Sequence, residues 1–409
     1  MKWTRPNKTR WGIVVPMVAL LLIPLLAMMA FSIDIGYTVE VRAELANATD
    51  AAALAGVQQL YGPYQQWLTA NQSSRATIMS NAITNAKATA TAVANSNRAA
   101  GAYVQLVPGD VDVGYTDGSG TYYSGNESQV PAGRFPNTVV VIARRDNTSL
   151  PNSNGEVPLF FGPVLGKGSI ALTASATAVA YEGQITSFKS IPGVNGTLLP
   201  VAVDQTQWTD FYQNGASSLY ADPNAPSGKA WLQIYPGGTG ESMDGLLSLN
   251  GSKAAAETYY SGGPPGGGWI QCGPTPSDIT GLHSAGDLPL PTDGTGQTWD
   301  SGPGMKSSLL SDFQALITTP PTVRLLPLFD PNSAGTTGGG NGTYQITYFV
   351  PVNIVYTDGT GKANMDIAVI SAAGSPVTDP TAVVSNLKPM GTSTTPAQYL
   401  VPVAAKLVQ

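Results

Sequence analysis

Residues 12–33 read GIVVPMVALLLIPLLAMMAFSI and hold no charged side chain. As a helix this run is roughly 33 Å long at 1.5 Å per residue, enough to cross a hydrocarbon core of about 30 Å. Pro16 lies near the start, where a missing amide costs little. Membrane helices also accommodate a proline such as Pro24 when neighbours satisfy the freed carbonyl. Lys2, Arg5, Lys8 and Arg10 precede the run, and every acidic residue follows it. The sequence therefore predicts a tail at 1–11, a transmembrane helix at 12–33, a cytoplasmic N-terminus and an extracytoplasmic bulk. A cleaved secretory signal is the competing reading. Its apolar core is about 7–15 residues long before a small-residue cleavage site, whereas this run is longer and ends AMMAFSID.

Immediately downstream, Val41, Leu45, Ala48, Ala52 and Ala55 recur at intervals of four and three, the spacing of one helix face. The membrane helix is expected to continue along this seam until Gly62 and Pro63 stop it. Small residues permit close approach of another helix, so the seam suits either lateral packing in an assembly or docking on its own domain. A second helix is expected from about Ser74 to Asn95, capped by Ser73 or Ser74, with Ile78, Ala82, Ala86, Ala90 and Val93 on one stripe.

After Gly101 the period becomes two. Val111, Val113 and Tyr115 alternate with Asp112 and Gly114, residues 170–181 alternate likewise, and TVVVIARR around Val139–Ile142 reads as a buried strand. The region 34–183 is thus helices followed by a small sheet, with GQITSFKSIPGVNG as its boundary. A second, β-rich extracytoplasmic domain is expected over 195–409. Its strands fall at 198–203, 231–235, 323–328, 344–356 and 365–370, and one helix is marked by Leu309, Phe313 and Leu316. The fold class is α+β. In YTDGSG (115–120) and YTDGTG (356–361), Asp-Gly supplies the positive φ that a hairpin turn requires.

Composition narrows the functions. Only 11% of the 409 residues are charged, while 46 Gly and 32 Pro favour short strands joined by turns over long bundles. Without the four tail cations, 16 basic face 26 acidic groups, which disfavours nucleic acid as a partner. Cys272 is the only cysteine and His283 the only histidine, so no intrachain disulfide or nitrogen/sulfur zinc site can form. GPVLGKGS at 162–169 is one residue short of a phosphate loop and reads as a turn before a strand. Asp293, Asp330 and Asp358 lack calcium-loop spacing and read as turn residues. No catalytic, cofactor or metal site is expected.

The stretch RWGIVVPMVALLLIPLLAMMAFSIDIGYTVEVRAELANATDAAALAG, with its basic tail, span, Asp34-x-Gly36 and Asp50–Ala55 run, resembles the TadE/TadG-like family of Flp (tight adherence, Tad) pilus-assembly proteins. Residues 157–180 look like the end of a TadG-type N-terminal region. The resemblance implies a single-pass protein of the bacterial inner membrane with a pilin-like helix, acting with other Tad/Flp components in pilus biogenesis and surface adhesion, without a cofactor. Asp34, Leu45, Ala48, Asp50, Ala52 and Ala55 are then the candidate assembly-contact positions. Two departures stand out. Met17 occupies the position where peptidase-processed pilins carry Glu, and the metal motif of a von Willebrand factor A domain is missing. A membrane-tethered binding module, using the aromatic and Gly-rich loops near Trp269 and Trp299, is the second reading. A carboxylate-based hydrolase is the third.

Overall fold

The apolar run and the seam beyond it form one continuous helix, α1 (Val14–Gln58), which passes through Pro24 without interruption. The computed structural model describes residues 14–107, 109–147, 154–227, 229–234, 245–246, 269–276, 287–289, 297–300, 310–318, 322–333, 343–358, 366–371 and 379–408. In α1 the large apolar side chains from Met17 to Ile33 are exposed, and this helix is long and apolar enough to cross a membrane. From Val41 onward the exposure reverses, with Val41, Leu45, Ala48, Ala52, Ala53 and Val57 fully buried.

Gly62 and Pro63 do not stop the helix. α1 ends at Gln58, and after a turn at Gln59–Leu60 a second helix, α2 (Tyr61–Thr69), carries both residues in its first turn, where the missing proline amide has no partner to lose. α3 (Gln72–Ser96) starts two residues earlier than expected, because Asn71 rather than a serine is the cap: its Oδ1 accepts the Ser74 amide at 3.0 Å and the Ser73 hydroxyl at 2.8 Å. The buried stripe of α3 is Ala82, Ala86, Ala90 and Ala94, with Val93 half-buried beside it.

The sheet that follows begins after a small hairpin, β1 (Arg98–Ala99) and β2 (Ala102–Tyr103). Its main strands are β3 (Val111–Thr116), β4 (Tyr122–Tyr123) and β5 (Thr138–Arg145). A short pair, β6 (Val157–Pro158) and β7 (Ser169–Ile170), precedes the 18-residue β8 (Leu172–Lys189). β3, β5 and β8 are antiparallel neighbours, and α1 and α3 lie on one face of them. Gly56 marks the closest approach: a Cβ there would stand 3.1 Å from the Ala86 carbonyl oxygen and 3.2 Å from Val139 Cγ1.

The chain then enters a second group with β9 (Val201–Asp204), helix α4 (Gln205–Asn214), β10 (Leu232–Ile234), β11 (Gly245–Leu246), helix α5 (Trp269–Cys272), β12 (Asp287–Pro289), which pairs antiparallel with β8 instead, and β13 (Gln297–Asp300). It continues with helix α6 (Leu310–Gln314), β14 (Arg324–Phe329), β15 (Thr343–Asp358) and β16 (Asp366–Ser371). The expected strands appear within one to three residues of their limits; Tyr235, Leu309 and Met365 lie outside the described residues. Here the order is β10-β16-β15-β14-β9-β11, antiparallel except for β14 with β9, around a core of Trp208, Phe313, Phe329 and Phe349.

The first part of the stretch expected as a boundary, 183–196, is strand. β8 runs through GQITSFK, and the last strands, β17 (Ala382–Pro389) and β18 (Val401–Val408), return from the end of the chain to pair with it. Around Tyr181 and Glu182, β8 is flanked by β17 on one side and β18 on the other. The pairing skips Thr186 as an extra residue, a bulge that sends Ile185 and Phe188 into the second core, whereas Ala176, Ala178 and Ala180 belong to the core under α1.

Candidate functional site at the exit of the long helix

Asp34 is the first charged residue after the apolar run, and it is 7% exposed. Its carboxylate accepts two backbone amides of a distant loop, Phe160 N at 2.8 Å on Oδ1 and Phe161 N at 3.1 Å on Oδ2. That loop, LFFGPVLGK at 159–167, joins β6 to β7 and contains a single 3-10 turn (Gly162–Leu165) ending at Gly166, φ +82°. The turn expected there is present. Asp34 supplies from another element the acceptor that the loop's amides lack locally. Tyr37, one helical turn further along α1, meets the Phe160 ring edge-on at 5.1 Å.

The other candidate positions divide in two. Leu45, Ala48 and Ala52 are fully buried against α3 and the sheet, so the seam is occupied by the chain's own domain; Asp50 and Ala55 are half-buried on its flank. A further α1 contact, from Ala100 N to the Glu44 carboxylate at 2.8 Å, holds the β1–β2 turn against the helix, where Ala100 adopts φ +52°.

A second buried cluster surrounds Glu182, on the inward face that Ala176, Ala178 and Ala180 begin. Its carboxylate accepts the Gly391 amide at 2.9 Å, and burial pushes the carboxyl up to about 7. Tyr61 of α2 donates to the Val403 carbonyl and accepts the Tyr181 amide, tying β18 to β8. Burial pushes the Tyr61 hydroxyl up to about 12 and raises those of Tyr64 and Tyr212 as well, Glu182 adding to each. Tyr212 of α4 donates to Gln65 of α2 at 2.9 Å. These neutral phenols and one acid form a structural joint between α2, α4 and the returning strands. The acid at an inward position was the sequence signal for it.

Trp269 and Trp299, expected on binding loops, are buried in the second core, and Trp269 Nε1 donates to the Leu198 carbonyl at 2.8 Å. Much of the Gly/Pro-rich stretch, including SGGPPGGG, His283 and Asp293, lies outside the described residues; Cys272 is described and exposed. Asp117 accepts the Ser119 and Thr121 amides, each at 2.9 Å, in the β3–β4 hairpin turn. Asp330 accepts the Asn332 amide at 2.9 Å in another turn. The turn after Asp358 lies outside the described residues. Among the described residues no group of three or more His, Cys, Asp or Glu side chains is placed to hold a metal ion.

Two family models match the chain. Residues 12–59 match the one described as Flp pilus-assembly TadE/G-like, and residues 55–178 match that of Tad-like Flp pilus assembly. No curated protein and no solved structure matches the chain. The two matched regions meet within α1, near Gly56, and cover α1, α3 and the sheet through the first part of β8. Over residues 12–178, therefore, this chain is similar to the TadE/G-like and Tad-like proteins of Flp pilus assembly.

Proposed function

We propose that the chain is a membrane-anchored structural or assembly component of a Tad (Flp) pilus system, acting in pilus biogenesis and surface adhesion without catalysis of its own. Its N-terminus lies in the cytoplasm and its bulk in the periplasm, with other Tad components as partners. The observation that carries this reading is the change of character along α1. The helix is apolar and exposed through residue 33, then docks by a fully buried seam inside the region that matches the pilus-assembly families. A span that continues rigidly into a folded domain transmits the position of the membrane to that domain, as an assembly part must.

The test is the amount of filament sheared from cells lacking this protein, against wild type and a complemented strain. A loss of filament that complementation restores is the expected result. Undiminished filament would sink the assembly role and leave a tethered protein with another task.

A further inference from the structure

The loop that Asp34 holds is apolar where a loop in water would be polar. Phe160 is 66% and Val164 84% exposed, and Phe161 is exposed beside them. Phe161 and Val164, together with Leu159, border a groove of about 980 Å³ whose opposite wall is α1 from Ile23 to Val39. Among the described residues, Asp34 and Lys167 are its only charged lining residues. The Asp34 carboxylate is taken up by the two loop amides, whereas the exposed Lys167 forms no salt bridge among the described residues.

From this geometry we infer that residues 159–167 form a foot seated in the outer leaflet of the bilayer beside α1, and that the groove holds a glycerophospholipid. Three observations select this occupant. Asp34 ends the uncharged run, and its hydrogen bonds fix the loop at the level where α1 leaves the hydrocarbon. The exposed rings and Val164 continue the exposed apolar surface of the helix, and such side chains are stabilised by leaving water. Lys167 matches a lipid phosphate, with its alkyl stem against the apolar wall and its ammonium at the headgroups. Paired with the span, the foot would fix the tilt and rotation of the exterior domain over the membrane.

The inference rests on the anchor proposed above, and one experiment separates the two. Full-length protein with Cys272→Ser receives a single cysteine by Leu20→Cys, Val164→Cys or Ser119→Cys. Each is labelled with a fluorophore and placed, one copy per disc, in nanodiscs of phosphatidylethanolamine and phosphatidylglycerol. Quenching by nitroxides on shallow and deep acyl positions is read. The Val164 label is expected to be quenched several-fold more than the Ser119 label, most strongly by the shallow nitroxide, with Leu20 quenched by the deep one. Adding Lys167→Glu should lower quenching at Val164; no change would overturn the phosphate contact. If Leu20 is quenched but Val164 is open to aqueous iodide, the foot is wrong and the anchor stands. If Val164 is shielded from both, protein covers the groove and the lipid assignment is wrong. If neither Leu20 nor Val164 is quenched, the anchor itself falls.

Discussion

Glu182 is an acid in a place that strand alternation reserves for alanine, 4% exposed and hydrogen-bonded through one amide. Its folded-state value of about 7, above the ordinary 4.5, means that the folded chain keeps a proton the unfolded chain has released between those values. Its contribution to stability is therefore complete below pH 4.5 and is lost as the pH rises through about 7, amounting to roughly 3 kcal/mol across the window. Glu182→Gln keeps an acceptor for the Gly391 amide and cannot ionise. It should raise stability by about 1–3 kcal/mol at pH 8 and change it little at pH 5. Thermal unfolding of the two proteins at both pH values is the check, and an unchanged pH dependence in the variant would show that the cluster does not hold this proton. The inward position of residue 182 was visible in the sequence. That Tyr61, Tyr64 and Tyr212 would enclose it was not, since they come from helices 121, 118 and 30 residues away in the chain.

α1 shows which element-level signals survive folding. Its three-and-four spacing foretold the burial of Val41, Leu45, Ala48 and Ala52, because a helix's period repeats locally whatever it packs against, while Ala55, the last member of that seam, is only half-buried. What packs there, α3 and the sheet rather than a partner, was one of the two readings the sequence left standing. Alanine and Gly56 keep these elements in close approach, so Ala52→Leu should overpack the interface and cost about 1–3 kcal/mol. Ala55→Leu, on the half-buried flank, should cost well under half as much. Denaturation midpoints distinguish the two. Equal costs would mean that the seam is not the packed face. The ends of α1 and α3 were less legible: Asn71 outcompeted two adjacent serines as the cap, and Pro63 began a helix where it was expected to end one.

At the scale of the whole molecule, β8 serves two cores. Its first half lies under α1, its second half reaches the second core, and the final strands clasp it from both sides. A chain truncated after Ser371 leaves β8 without partners over Tyr181–Thr186, with β12 still paired at Ser187–Lys189, and removes the Tyr61 and Glu182 contacts to residues 391–403. Protection against protease should then be lost in the 34–178 region as well as beyond it. A truncated protein that retained a resistant 34–178 fragment would show that this region folds independently of the return strands. Neither outcome follows from the linear order of segments, which placed a boundary inside β8.

The amino-acid sequence by itself determined the apolar helix, its seam, the α+β class, the hairpin at Asp117 and the resemblance to Flp pilus-assembly proteins, because periodicity, turn chemistry and charge placement are written within a few residues of one another. Only the tertiary structure decided the partner of Asp34, the burial of Trp269 and Trp299, the tyrosine-lined acid and the shared strand. Each of these depends on segments tens to hundreds of residues apart, whose pairing is selected by packing and by the need to satisfy buried polar groups.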